Sequence, residues 1–223
     1  MSCYPCTNMG GWGIVIIFAD IVFYPASLCS FRDKNSKEYR IMKASVKRKL
    51  DAHPLKKELK DIVLDSWKQI FDSKIGEYQI GKDIFPSPQI ISFFLHELVA
   101  HNISQKHSEY RVGVSKDEKD IHCISNIKLG IEIKGSSNKS QIFANRSYAQ
   151  PSSESEVKSK NGYYLAINFE KLSKDTPNPK ILLIRFGYLV HEDWIPQASE
   201  TGQQARLAPK TYNEKFEILY QSN

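Results

Sequence analysis

Cysteine is scarce in this chain: Cys3, Cys6, Cys29 and Cys123 are the only four in 223 residues. Cys3 and Cys6 form a lone Cys-x-x-Cys, with no second pair and no histidines at zinc-knuckle spacing, which excludes a zinc module of that kind. Few, scattered thiols argue against a disulfide framework and fit a reducing, cytoplasmic setting. Long apolar runs are missing too. The nearest approach, Gly13 to Phe23, is interrupted by Asp20, has no basic stretch before it and is too short to cross a bilayer. It reads as a buried strand or an irregular segment, or as an upstream start-site extension that packs poorly. No glycine-rich phosphate loop, Ser-His-Asp spacing, heptad run or internal repeat occurs. His96-Glu97 followed by His101 is not a zinc-protease box: that box needs histidines at i and i+4, and these are five apart.

Acidic charge is in deficit. Lys and Arg total 31 against 25 Asp and Glu, for a net charge of +6 and a pI near 9.0. That balance suits a polyanionic partner, but it equally fits an ordinary mildly basic protein. The length allows one domain with an appendage: residues 1–30, of uncertain role, and residues 31–223 as a single domain.

Periodicity organises the remainder. Residues Phe31 to His53 are basic and polar, with a short helix expected from Lys43 to Leu50. Leu55, Leu59, Ile62, Val63, Trp67 and Ile70 recur at helical spacing and predict an amphipathic helix from Lys56 to Phe71. Ser87-Pro88 supplies an N-cap and a proline at the first helical position, opening a helix that runs to about Ser104. Gly162 to Phe169 and Ile181 to Leu189 are strongly apolar, as expected of central strands buried on both faces. The stretches Gln150 to Asn161 and Ser173 to Lys180 are polar connectors.

The most informative stretch runs from Asp120 to Lys134. Ile127, Leu129, Ile131 and Ile133 alternate with Lys128, Gly130, Glu132 and Lys134, which predicts a strand with one buried face and puts Glu132 and Lys134 on the same side. Asp120 opens the short apolar run Ile121 to Ile124, and Ser125-Asn126 supplies a turn. Such a hairpin returns Asp120 to Glu132. Two hard carboxylates suit Mg²⁺, with Mn²⁺ as a substitute, because Mg²⁺ takes one or two carboxylates and completes its shell with water and substrate phosphate. A lysine beside it can orient a water or neutralise developing charge. A surface ion pair across a strand is the ordinary alternative, and contributes little. Glu97, beside Phe93, Phe94 and His101 on the third helix, either joins the metal cluster or lies at the edge of the apolar stripe.

These residues, together with the segments downstream of Lys134, resemble the PD-(D/E)xK nucleases and, more closely, the ScaI-like type II restriction endonucleases. The resemblance rests on Glu132-Ile133-Lys134, Ser136-Ser137-Asn138, Asn145 to Ala149 (NRSYA) and Thr201 to Leu207 (TGQQARL), and it spans about Leu55 to Leu207. It departs at Lys119, which stands where the family's proline would. It implies an α/β fold with a mixed central sheet flanked by helices. Asp120, Glu132 and Lys134 would be catalytic, with Asp120, Glu132 and Glu97 at the metal. It also implies Mg²⁺-dependent cleavage of double-stranded DNA at a short palindromic sequence, and a cognate DNA methyltransferase that acts on the same site without a stable complex. A homodimer would match the two-fold symmetry of such a site. DNA contacts are expected from Ser137, Asn138, Asn145, Arg146, Gln203, Gln204 and Arg206. Glutamine can bond adenine bidentately and arginine guanine, whereas a solvated polar loop is the default for such segments. A repair or junction-resolving nuclease of the same fold, or a basic DNA-binding module without catalysis, are the alternatives.

Overall fold

The computed structural model describes residues 12–17, 20–25, 37–115, 117–150, 160–199 and 201–222. Two compact units divide the chain, residues 1–42 and 43–223. In the first, β1 (Trp12–Ile17) and β2 (Asp20–Pro25) pair antiparallel, with Ile17 opposite Asp20. The apolar stretch at the N-terminus is therefore a hairpin, and Asp20 starts its second strand.

The second unit begins within α1 (Lys37–Asp51). It continues with α2 (Leu59–Asp72), the small hairpin β3 (Lys74–Ile75) and β4 (Tyr78–Gln79), α3 (Pro88–Lys106), β5 (Tyr110–Val112), β6 (Ile121–Cys123), β7 (Ile131–Ser136) and β8 (Phe143–Asn145). After these come β9 (Gly162–Phe169), β10 (Ile181–Leu189), β11 (Trp194–Pro196), β12 (Gln204–Leu207), α4 (Pro209–Lys215) and β13 (Phe216–Gln221). Six strands form a mixed sheet in the order β13-β10-β9-β7-β6-β5, and three form a smaller sheet in the order β11-β12-β8. Within the large sheet β7 and β9 run parallel, and the other neighbours are antiparallel.

The apolar run Gly162 to Phe169 is buried along its whole length, as its composition predicts. Its alternate residues face two different cores. Tyr163, Leu165, Ile167 and Phe169 pack in the cluster that holds Val46 and Leu50 of α1, Ile62 and Trp67 of α2, and Leu95 and Val99 of α3. Tyr164 and Ala166 pack in a second cluster with Ile142, Ala144, Trp194, Ala205 and Leu207 of the small sheet and its approach. Helices thus cover one face of the central sheet and the small sheet covers the other. Each large apolar side chain so buried contributes about 1.5–3 kcal/mol relative to exposure.

Several boundaries differ from the sequence reading. α1 is longer than expected. α2 starts at Leu59, because Leu55 to Glu58 forms a turn with Leu55 O accepting from both Glu58 N and Leu59 N. The strand expected from Ile127 is replaced at its start by a 3₁₀ turn, Ile127–Leu129, whose cap is the Asn126 side chain accepting from Lys128 N. Ile127 is accordingly exposed. The alternation points to a strand, and the local cap by Asn126 that closes a turn instead does not show in the apolar pattern. The connector at 151–159 lies outside the described residues. Among the described residues no helix is long and apolar enough to cross a membrane.

Candidate active site and nucleic-acid face

Strand β7 builds the site. Ile131 and Ile133 are fully buried on the helical side, which turns Glu132 and Lys134 toward the small sheet. Glu132 is only 2% exposed, a costly position for a carboxylate unless its oxygens are bonded. Lys134 Nζ donates to Glu132 Oε1 at 2.7 Å, and the Tyr148 hydroxyl donates to the same oxygen at 2.5 Å. Lys134 Nζ also lies 3.3 Å from the Tyr148 hydroxyl and 4.7 Å from the centre of its ring.

Asp120 precedes β6, which meets β7 at the pair Ile121 and Ile131. Its Oδ2 accepts from Ile133 N at 2.6 Å, so this carboxylate is held by the main chain between Glu132 and Lys134. The structure thus brings the two acids and the lysine together at β7, through a longer connection than a simple turn. Burial first, and the nearby charges of Glu132 and Asp120 after it, push the Tyr148 and Tyr164 phenols well above the ordinary tyrosine range. Both hydroxyls therefore stay protonated, and Tyr148 acts toward Glu132 as a donor.

Helix α3 reaches the same place. His96 Nδ1 is 4.0 Å from Asp120 Oδ2, and Ser92 Oγ is 3.5 Å from His96 Nε2. The approach is close: a Cβ on Gly135 would overlap Ser92 Oγ, so any side chain after Lys134 would push Ser92 and its turn of α3 aside. Glu97, one residue beyond His96, is exposed and makes no hydrogen bond or ion pair among the described residues. The structure brings His96, not Glu97, to Asp120. Tyr148, Ser92 and His96 were not among the expected site residues. Only the register of the NRSYA segment against β7 could have pointed to Tyr148, and register is not visible in one sequence.

Lys119, at the position of the family's proline, is 8% exposed, with its ammonium 4.7 Å from the centre of the Tyr164 ring. Among the described residues no group of three or more His, Cys, Asp or Glu side chains is arranged to hold a metal. The protein offers the oxygen pair of Asp120 and Glu132, a donor set that fits an ion taking one or two carboxylates and drawing its other ligands from water and phosphate.

The expected DNA-contacting residues divide into two groups. Asn138 is committed to its own loop: its Oδ1 accepts from Ser140 N at 3.0 Å and Gln141 N at 2.9 Å. That loop is clamped from below by buried polar groups. Asn168 Nδ2 donates to the carbonyls of Asn138 and Gln141 at 2.7 and 3.0 Å, and Arg185 Nη2 donates to Ser140 O at 2.6 Å and Asn168 Oδ1 at 2.7 Å. Ser137 lies half-buried at the start of this loop. Arg146 is likewise engaged internally, its Nη1 donating to the carbonyls of Ser199 and Gly202 at 2.8 and 3.0 Å. Gln203 turns its amide to the Thr201 carbonyl at 3.3 Å.

The second group points outward. Along β12, Ala205 and Leu207 are buried, while Gln204 and Arg206 are exposed and make no side-chain hydrogen bond within the described residues. Gln204 pairs across the sheet with exposed Asn145, and Arg206 lies between Ile195 and Phe143. This face presents one guanidinium and two amides to solvent beside Ile195 and Phe143, groups of the kind that can donate to base edges.

The family model of the ScaI restriction endonuclease matches residues 37–220. A relative named Type II restriction enzyme ScaI, from Streptomyces caespitosus, is 42% identical over 165 residues, covering 73% of this chain and 72% of that protein. No solved structure matches.

Proposed function

Since the chain belongs to the ScaI restriction endonuclease family and is a type II restriction endonuclease, we propose that Asp120, Glu132 and Lys134 form its hydrolytic centre and that Mg²⁺, or Mn²⁺ in its place, is the cation used. The observation that carries this reading is the buried contact of Lys134 with Glu132 beside an Asp120 held to the same strand. Asp120 and Glu132 would hold the cation through carboxylate oxygens. Bound there, it would supply Lewis-acid polarisation of a phosphoryl oxygen and a lowered pKa for bound water.

The protein's own groups do the rest. Lys134, itself largely buried, carries a positive charge beside the position where negative charge grows on the phosphate. Asp120 and Glu132 are pre-organised by their bonds to Ile133 N, Lys134 and Tyr148, so little rearrangement is needed when substrate arrives. We place Glu97 outside the pair that holds the cation.

The substrate we infer is double-stranded DNA with a short palindromic site, read by Gln204, Arg206 and Asn145 on the outer face of the small sheet. Arg146, Gln203 and Asn138 we assign to holding that surface in shape, with Ser137 at a phosphate. Two copies of the chain would each cut one strand. A separate methyltransferase protecting the same sequence, and a cytoplasmic setting, belong to this reading.

Digestion of a plasmid of known sequence across a Mg²⁺ titration tests it. Discrete fragments with constant ends, abolished by excess chelator, are expected. Full cleavage in chelator, or a smear without preferred ends, would sink the reading.

A further inference from the structure

Tyr148 sits where the two sheets meet. Its hydroxyl bridges Glu132 Oε1 and Lys134 Nζ, and its ring packs edge-on against Trp194 of β11, with centroids 5.5 Å apart. It is only three residues from Asn145, which pairs with Gln204 on the outward face. The intervening turn is fastened to the same region: Arg146 N donates to Gln203 O at 2.8 Å, and the Arg146 side chain is bonded to Ser199 and Gly202. One short 3₁₀ turn, Arg146–Ala149, thus connects β8 to Tyr148, whose hydroxyl touches Glu132 and Lys134 of β7.

We propose that Tyr148 is a positioning residue that couples sequence reading to cleavage. Docking of the β8–β12 face on the correct bases sets Tyr148, and Tyr148 sets the Glu132–Lys134 pair. The inference rests on the assignment of that pair as catalytic and adds to it a route by which a wrong base lowers the rate as well as the affinity. A tyrosine that merely filled space would need the ring and not the hydroxyl.

Tyr148→Phe keeps the ring and its contact with Trp194 and removes the bridge. The full chain would be assayed for single-turnover cleavage in Mg²⁺ and for binding in Ca²⁺. Two duplexes are used, one with the mapped site and one with a single altered base pair. Cleavage of the mapped site should fall about ten- to a hundredfold, the size of one lost hydrogen bond to a charged group. Cleavage of the altered site should fall less, so the ratio of the two rates narrows while the ratio of the two binding constants holds. Wild-type cleavage by Tyr148→Phe, an unchanged rate ratio, or a loss of binding in step with the rate would each overturn the proposal. Should Tyr148→Phe fail to fold, Arg146→Ala decides. It leaves the hydroxyl in place and frees the turn, and it too should narrow the rate ratio; an unchanged ratio overturns the coupling. Glu132→Ala runs alongside. If that variant still cuts, it is the catalytic assignment that is wrong rather than the coupling.

Discussion

The large and small sheets solve opposite problems with the same alternating strand. In β7 the polar residues of the alternation turn inward between two layers, and each finds a partner: Glu132, Lys134 and Tyr148 are bonded to one another. In β12 the polar residues turn outward, and the side chains of Gln204 and Arg206 have no bonded partner among the described residues. A buried polar group has to be satisfied inside the protein, whereas an exposed one keeps its bonding capacity for something that comes from outside. The first arrangement fixes geometry, which suits the hydrolytic role proposed for it; the second leaves bonding groups free, which suits the reading role proposed for that face. Substitutions in the two regions should therefore fail differently, the first in rate and the second in discrimination.

Glu132→Ala gives the sharpest version of that contrast. If Glu132 holds the cation as proposed, its loss removes several kcal/mol of charge stabilisation, on the order of a thousandfold or more in rate. Single-turnover cleavage in Mg²⁺ should be abolished, while binding of the mapped site in Ca²⁺ remains measurable. Cleavage near the wild-type rate would remove β7 from the chemistry.

The buried clamp beneath the loop after β7 comes next, and it asks to which region that loop belongs. Arg185 is 4% exposed and gives hydrogen bonds to Ser140 O and Asn168 Oδ1. Arg185→Met takes the donor from both acceptors, at about 2–4 kcal/mol, a fall in Tm of roughly 5–15 °C. If the loop is part of the rigid catalytic frame, cleavage declines with the loss of structure and the ratio of specific to scrambled binding stays the same. A ratio that collapses instead would put the loop with the reading surface.

Arg206→Ala and Gln204→Ala test the outward face. Each should lower affinity for the mapped site by about 1–3 kcal/mol relative to a scrambled duplex, with Tm unchanged because neither side chain is buried or bonded within the described residues. Arg146→Ala, which loosens that face without removing a reading side chain, should lower Tm as well as the affinity for the mapped site. Isotherms in Ca²⁺ with an unchanged ratio for Arg206 and Gln204 would mean that they contact phosphate rather than bases.

Much of this layout is legible in the sequence. The strongly apolar runs of β9 and β10, broken only by Asn168 and Arg185, leave no continuous polar face to expose, so their central position follows. Ile131 and Ile133 buried on one side put Glu132 and Lys134 together on the other. The hidden part depends on contacts distant along the chain. The turn at Ile127 mimics a strand. In sequence Arg146 is open between base reading, phosphate positioning and local hydrogen bonding; only the fold brings the carbonyls of Ser199 and Gly202 to its Nη1. Tyr148 is one tyrosine of eleven until β8 is laid beside β12.

The smallest expected effect belongs to Glu97, where local pattern and packing disagree most directly. Phe93 and Phe94 beside it suggest an acid drawn into an apolar site, yet Phe93 is itself 62% exposed, and the buried stripe of α3 passes through Ile91, Leu95, Val99 and Ile103. Glu97 lies off that stripe, while His96 faces Asp120. An exposed acid with no bonded partner contributes within about 0.5 kcal/mol to stability, and on the proposed reading Glu97 lies outside the pair that holds the cation. Glu97→Gln should therefore leave the melting temperature, the Mg²⁺ concentration for half-maximal cleavage and the cleavage rate all at their wild-type values. His96→Ala, on the same helix, should raise that Mg²⁺ concentration by disturbing Asp120. A higher Mg²⁺ requirement in Glu97→Gln with no change in melting temperature would return Glu97 to the metal site. It would also mean that α3 moves when DNA binds, and that the catalytic region is less fixed than its comparison with the reading face implies.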